Sequence, residues 1–273
     1  MGLNPYFEAS DQTFNIYQGN CIDIMSHFQS NSIDMIFADP PYFLSNGGLT
    51  FKNGIIQSVN KGEWDTNDNE NSIYNFSHEW IAQSKRLLKD NGTIWVSGTH
   101  HNIFTVGQVL KENNFKILNI ITWEKPNPPP NFSYRYFTYS TEWVIWARKN
   151  EKVPHYFDYD LMKKLNGNKQ AKDVWRLPAV SNWEKEQGKH PTQKPLGLLS
   201  RIILASTQKG NMVLDPFSGS GTTGIAATIL GRQFIGIDKE LEFLELSKRR
   251  YHAITPKSKY EFKQKIREQI SLV

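Results

Sequence analysis

Four consecutive residues, Asp39-Pro40-Pro41-Tyr42, join an acid, two prolines and an aromatic ring. They follow Ser32-Ile33-Asp34-Met35-Ile36-Phe37-Ala38, an apolar run that reads as a buried parallel strand. The C-terminal edge of such a strand is where open α/β sheets place ligands. The prolines donate no backbone N–H and hold φ fixed, so their carbonyls point in set directions. A carboxylate, a fixed carbonyl and an aromatic face suit a flat ring bearing an exocyclic amine. The ring would stack on Tyr42 while two acceptors hold the two amine hydrogens. Asp39, Pro40, Pro41 and Tyr42 are therefore the candidate catalytic residues. A Pro-Pro turn with a capping acid is the plainer alternative, and the tetrapeptide by itself leaves it open.

A second pattern lies far downstream, at Asn211-Met212-Val213-Leu214-Asp215-Pro216-Phe217-Ser218-Gly219-Ser220-Gly221-Thr222-Thr223-Gly224. It reads as a strand, a glycine-rich turn and the start of a helix running towards Leu230. After Gly231-Arg232, the run Gln233-Phe234-Ile235-Gly236-Ile237-Asp238 reads as another buried strand ending in an acid. Gly219, Gly221 and Gly224 fit G-x-G-x-x-G, and Asp238 lies where a ribose-binding acid is expected. Glycines let a ligand approach the backbone, and the helix N-terminus favours a carboxylate or phosphate.

NAD and S-adenosylmethionine both fit that turn. A dinucleotide turn usually runs straight from strand to first glycine, whereas Asp215-Pro216-Phe217-Ser218 intervenes here. The extra acid suits the ammonium of a methionine moiety, which NAD lacks. No G-x-x-x-x-G-K-[ST] pattern supports an ATPase.

Taken together, the chain resembles an amino-group DNA methyltransferase of the permuted β class, in which the catalytic motif precedes the cofactor motif. The resemblance rests on Asp39-Pro40-Pro41-Tyr42, His190-Pro191-Thr192-Gln193-Lys194-Pro195, the block Asp215 to Thr223, and Phe234-Ile235-Gly236-Ile237-Asp238. It extends from about Ile16 to Arg250. It implies a Rossmann-like α/β fold: a mostly parallel seven-stranded sheet with one antiparallel edge strand and a permuted motif order. It implies S-adenosylmethionine bound by Asn20, Cys21, Asp39, Lys194, Asp215, Phe217, Ser218, Gly219, Ser220, Gly221, Thr222, Thr223 and Asp238. Family members often carry Gly-Asp where this chain has Gly19-Asn20-Cys21, and Asn20 would supply a carbonyl acceptor instead. The Asp form of the first block points to adenine N6, and the Ser form is more typical of cytosine N4. The stretch Trp123-Glu124-Lys125-Pro126-Asn127-Pro128-Pro129-Pro130, with Arg135-Tyr136 and Thr141-Glu142, resembles GATC-specific adenine methylases of restriction systems. The small second methylase of Dpn-type systems is nearest. Such a protein acts on double-stranded DNA, with single-stranded DNA as an alternative. It has a companion endonuclease, and a homodimer is one assembly to expect.

Composition agrees with this. The 273 residues suffice for one large α/β domain, so 1–273 is read as a single methyltransferase domain. Lys plus Arg number 32 against 27 acids, which suits a polyanionic partner. A single cysteine, Cys21, excludes an internal disulfide and a C-x-x-C metal site. No metal is expected. No signal peptide or apolar run of about twenty residues is present, so a cytoplasmic protein with no membrane contact is expected.

The elements that must position these residues follow from pattern. Strands are expected at 14–18, 93–97, 117–123 and 142–147, the last two as an antiparallel pair at the sheet edge. Helices are expected at 22–28, 73–88 and 102–113, with Asn91-Gly92 ending the second. Residues 43–71, rich in Gly, Asn, Ser and Asp, read as a mobile loop beside the catalytic motif. Residues 125–189 read as an embedded target-recognition region. There Arg135 is the candidate base contact, and Lys163 and Lys164 are candidate phosphate contacts, with Lys169 and Lys172 nearby. The tail after Tyr251 is charged and reads as a partly ordered helix.

Other residues invite roles that their context opposes. His100-His101 suit a loop or helix start better than a metal pair. Cys21 suits packing as a small hydrophobe. Trp64, Trp175 and Trp183 are the stacking candidates among eight tryptophans. Competing functions are a cytosine-N4 methyltransferase, an RNA or protein amino-group methyltransferase, a NAD-dependent oxidoreductase and a non-catalytic DNA-binding module.

Overall fold

The computed structural model describes residues 3–41, 49–52, 55–58, 70–128, 130–131 and 134–271. Strands form near the expected places, together with four short strands that the sequence pattern did not mark. They are β1 (Phe7–Glu8), β2 (Phe14–Gln18), β3 (Ile33–Ala38), β4 (Leu49–Lys52), β5 (Ile55–Ser58), β6 (Leu88–Gly98), β7 (Lys116–Glu124), β8 (Thr141–Arg148), β9 (Val174–Arg176), β10 (Met212–Asp215) and β11 (Gln233–Asp238). The helices are α1 (Cys21–Ser26), α2 (Glu70–Leu87), α3 (Ile103–Glu112), α4 (Tyr159–Leu165), α5 (Leu196–Ser206), α6 (Thr222–Leu230), α7 (Leu241–His252) and α8 (Pro256–Ser271). The expected tail helix is thus α8. Among the described residues no helix is long and apolar enough to cross a membrane.

One nine-stranded sheet has the order β1-β2-β11-β10-β3-β6-β8-β7-β9, and β4 and β5 pair separately as a hairpin. The strands β2, β11, β10, β3 and β6 run parallel. Two expectations are corrected. The sheet has nine strands rather than seven, because the short β1 and β9 extend its two sides. The antiparallel strand β8 is not at the edge: it lies between β6 and β7 and pairs antiparallel with both. Its run Val144-Ile145-Trp146-Ala147 is fully buried, which suits an interior strand. Trp95 and Trp146 are cross-strand partners, and their rings stack at 4.7 Å. Such a pair adds about 0.5–1.5 kcal/mol beyond the area it buries.

The Asn91-Gly92 turn is present, but inside β6. Ile33 pairs with Leu88 and Met35 already pairs with Thr93, so residues 89–92 loop out between them. A Cβ on Gly92 would lie 2.9 Å from the Lys89 carbonyl oxygen, which explains the glycine.

Two apolar clusters sandwich the sheet. One joins Phe14, Trp95, Trp123, Trp146 and Trp175 to α5 and α6. The other joins Met25, Ile36, Trp80, Val96 and Leu214 to α3. The C-terminal ends of β3, β6, β7, β10 and β11 therefore face one edge, together with the start of β8.

Candidate active site

Strand β3 ends at Ala38, so Asp39 is the first residue past the edge. Pro40 is buried and Pro41 half-buried. Tyr42, the expected stacking ring, lies outside the described residues. Neighbouring β10 ends in Asp215, and β11 ends in Asp238. Three acids thus stand side by side at the C-terminal edge of three adjacent parallel strands.

Their surroundings differ. Asp39 is held by Lys194, whose Nζ lies 2.5 Å from Oδ2. Lys194 itself is 7% exposed and lies just before α5, which Pro195 opens. Asp215 is closed within its own turn. It accepts a bond from Thr223 Oγ1 at 2.5 Å and one from the Phe217 N–H at 3.0 Å. Burial pushes its carboxyl up to about 7, and the charges of Asp39 and Asp238 add to the shift. Asp238 accepts the Gly219 N–H at 2.7 Å and the Glu240 N–H at 2.9 Å, one on each oxygen. Burial pushes it up to about 6 against those two bonds. Each of its oxygens keeps a lone pair that can accept from a ribose diol.

The glycine-rich turn is formed by packing. Gly219 and Gly221 have φ of +49° and +72°, in the left-handed region. A Cβ on Gly221 would lie 2.0 Å from Ser247 Oγ on α7, and one on Gly224 would lie 2.5 Å from the Phe234 ring. From sequence, the glycines of this turn are expected to let a ligand approach the backbone, which a side chain would hinder. The nearer obstacle is α7. Ser220 and Thr222 bond each other at 3.2 Å. Phe217 packs edge-on against Trp80 at 5.4 Å. Ser218 is buried, and its Oγ has no hydrogen-bond partner among the described residues.

The remaining sequence candidates fall as follows. Asn20 caps α1, its side-chain oxygen accepting the Ile22 N–H at 2.9 Å. That acceptor is thus engaged by its own helix. Cys21 is buried, and desolvation pushes its thiol up to about 12, so it packs rather than reacts. Arg135 is exposed. Lys163 and Lys164 are exposed in the last turn of α4. Trp175 is a correction: it is 4% exposed, in the core, with its Nε1–H donated to the Lys172 carbonyl at 2.9 Å. Its run Val174-Trp175-Arg176 is strand β9, which an aperiodic polar context concealed. Trp183 stacks on Phe262 at 5.4 Å. Trp64 lies outside the described residues, as do most of 43–71 apart from the β4–β5 hairpin and the start of α2. His100 stacks on Tyr139 at 4.7 Å.

Three participants had no assigned role from sequence. Glu142 lies at the start of β8, with Oε2 3.7 Å from Lys194 Nζ, and Oε1 is paired with Lys125. Arg250 is buried on α7. Its Nη1 donates to the Ser220 carbonyl at 2.7 Å and to Thr222 Oγ1 at 2.8 Å, bracing the turn from behind. His190, from the His-Pro block, lies under Gly219, where a Cβ would come within 3.0 Å of Nε2. Burial, with the Lys194 and Arg250 charges, pushes its pKa down to about 4, so the ring is neutral near pH 7. The signal for Glu142 was an acid opening an apolar strand. Only topology brings it to Asp39.

The edge fits S-adenosylmethionine chemically. Asp238 offers acceptors for hydroxyls, the turn and α6 offer backbone N–H groups, and the buried Ser218 Oγ awaits a partner. Lys194, a cofactor candidate from sequence, is engaged here by Asp39 and Glu142.

Residues 33–249 match the DNA methylase family. The Type II methyltransferase M2.MboI of Moraxella bovis is 81% identical over 273 residues, covering 100% of both chains. M2.DpnII of Streptococcus pneumoniae is 52% identical over 250 residues, 91% of this chain and 92% of its own. Among solved structures, the M1.HpyAVI–SAM complex is 30% identical with a TM-score of 0.67, covering 87% of this chain and 98% of that one. The cytosine-N4-specific PvuII DNA methyltransferase is 19% identical, with a TM-score of 0.75 over 98% of this chain and 96% of its own, a likeness of fold.

Proposed function

The chain belongs to the DNA methylase family and is an S-adenosylmethionine-dependent DNA methyltransferase, and on that premise we propose that it methylates adenine N6 in GATC. The observation that carries the reading is Asp39 at the end of β3, beside the glycine-rich turn that follows β10. Its neighbour is Pro40, whose carbonyl is the second acceptor.

Adenine N6 is a weak nucleophile because its lone pair is delocalised into the ring. Asp39 and the Pro40 carbonyl accept its two hydrogens and favour a pyramidal nitrogen. Asp39 also offsets the positive charge that develops on that nitrogen. Pro41 fixes the chain direction, and Tyr42 stacks on the base. When bound, S-adenosylmethionine supplies an electrophilic methyl group on a sulfonium. Asp238 would hold its ribose, and the backbone of residues 217–223 would surround its methionine arm. The inward-turned Asp215 keeps the turn in shape through Thr223 and Phe217. Much of the rate comes from holding the two reacting groups in line. In a duplex the target base must leave the stack, at a cost of about a few kcal/mol.

Residues 125–189 serve target recognition, with Arg135 as a base contact and Lys163 and Lys164 on phosphates. The names of the similar proteins support a place in a restriction-modification pair. The test is labelled methyl transfer to unmethylated DNA, followed by nucleoside analysis. N6-methyl-2′-deoxyadenosine within GATC is expected. N4-methyl-2′-deoxycytidine would replace the adenine reading, and transfer indifferent to GATC would remove the site.

A further inference from the structure

Four charged side chains stand in alternating order at the catalytic edge: Asp39, Lys194, Glu142 and Lys125. Their side chains are 14%, 7%, 15% and 24% exposed. Lys194 is the shared member. It lies 2.5 Å from Asp39 Oδ2 and 3.7 Å from Glu142 Oε2. The first is a tight charge-assisted hydrogen bond, and the second is an ion pair just beyond hydrogen-bond length.

This arrangement conflicts with catalysis unless it changes. The reading of Asp39 as the acceptor for the substrate amine requires its carboxylate to take an N–H hydrogen bond. Lys194 occupies part of that capacity. An ammonium at that distance also opposes the positive charge that develops on the amine nitrogen. Moving a cation with 7% exposure into an uncompensated place is costly, because a buried charge must keep a partner. Glu142 is that partner. Its other oxygen is fixed by Lys125, and Glu142 is registered opposite Trp123 in the sheet, so the carboxylate is held in place. A movement of about 1 Å transfers the ammonium from one acid to the other.

We propose that Glu142 is a positioning residue for methyl transfer: it receives the Lys194 ammonium when the substrate amine takes the Asp39 carboxylate. The inference rests on the reading of Asp39 given above. Glu142 does not touch substrate in this scheme. It acts through Lys194, setting how strongly Asp39 accepts from the amine.

The test is a double-mutant cycle on the single-turnover rate of methyl transfer to GATC duplex, with S-adenosylmethionine at saturation for each variant. Glu142→Gln is expected to lower that rate about tenfold or more, with DNA affinity and thermal midpoint close to the parent's. Lys194→Met removes the ammonium. In that background Glu142→Gln is expected to change the rate less than about twofold, because nothing remains to be received. Glu142→Asp keeps the charge and should retain more of the rate than Glu142→Gln. If Glu142→Gln unfolds the protein, the same cycle is run with Glu142→Asp, whose smaller loss should likewise vanish without Lys194. An equal loss with and without Lys194 would overturn the proposal, as would a parental rate for Glu142→Gln. Asp39→Ala run in parallel separates the two readings. A parental rate there removes Asp39 as acceptor, whereas an inactive Asp39→Ala with an additive cycle removes only the role of Glu142.

Discussion

The glycine-rich turn and the aromatic segment before β8 face the same edge of the sheet and are built in opposite ways. In the turn, Thr223 bonds Asp215, while Ser220, Thr222 and Arg250 bond one another, and the glycines fit against α7 and the sheet. In the segment, Tyr134, Tyr136, Phe137 and Tyr139 are 89%, 58%, 96% and 60% exposed within six residues. Tyr134 also holds a φ of +54°, uncommon for a bulky residue. The first region is shaped by the protein's own packing. The second leaves apolar rings exposed, as a surface that meets a partner would. On the proposed reading a DNA methyltransferase uses both: a cofactor seat that is ready beforehand, and a substrate face that DNA completes.

Substitutions can break this contrast, and the largest effect is expected where the two regions meet. Asp39→Ala should lower turnover at least about a hundredfold, as for removal of a positioned polar catalytic group. Calorimetry should still detect S-adenosylmethionine binding, because the turn is untouched. Next comes the turn itself. Gly221→Ala adds strain at φ +72° and drives a Cβ into Ser247, so it should cost about 2–3 kcal/mol in denaturant unfolding. Pairing it with Ser247→Gly should restore part of the loss. Stability equal to the parent's would show that the turn is not shaped by α7.

The opposite outcome is expected of the exposed rings. Replacing Tyr136 and Phe137 together by alanine should leave stability within about 0.5 kcal/mol. The same variant should bind DNA about tenfold more weakly, the order expected when base stacking on an aromatic face is lost. A drop in stability without a change in DNA affinity would reverse the assignment of the two regions.

The smallest effect is a pH dependence confined to the interior. His190 falls to about 4 in the fold from an ordinary 6.5. Its contribution is therefore fully present above about pH 6.5 and is lost as the pH drops through about 4. Asp215 and Asp238 act in the other direction. Raised to about 7 and 6, they oppose the fold when ionised, and that cost is relieved as the pH drops through those values. Unfolding midpoints of His190→Asn between pH 6.5 and 4 should fall less than the parent's. Parallel curves would show that His190 is not held neutral by the fold.

Much of the interior was legible in the sequence, because local pattern carries it. The run Gln233–Asp238 is a strand at the residues expected, since continuous apolar residues between a glycine and an acid leave few other choices. The three acids at the strand ends were legible for the same reason. What escaped was whatever depends on distant partners. The ion chain from Asp39 through Lys194 to Glu142 joins positions that only the sheet order brings together. Arg250 looks like any cation on a charged helix until α7 turns it under Ser220. The place of β8 was misjudged because an antiparallel return reads the same from sequence whether it ends a sheet or is enclosed by one. Trp175 was misread because a short strand in polar surroundings gives no period to detect.

The order of strands in the sheet also sets an order in time. Strand β2 is among the earliest made, yet its parallel neighbour is β11. Strand β3 likewise waits for β10 on one side. The intervening β6 pairs with β3, β8 with β6 and β7 with β8, so they form a half-sheet from one continuous length of chain. At roughly 5–20 residues per second, the open side of β3 stays uncovered during synthesis for on the order of ten seconds or more. Throughout that interval the nascent protein carries Asp39 but has no seat for a methyl donor. The last strands to emerge close the gap between the first ones and complete both the sheet and the enzyme.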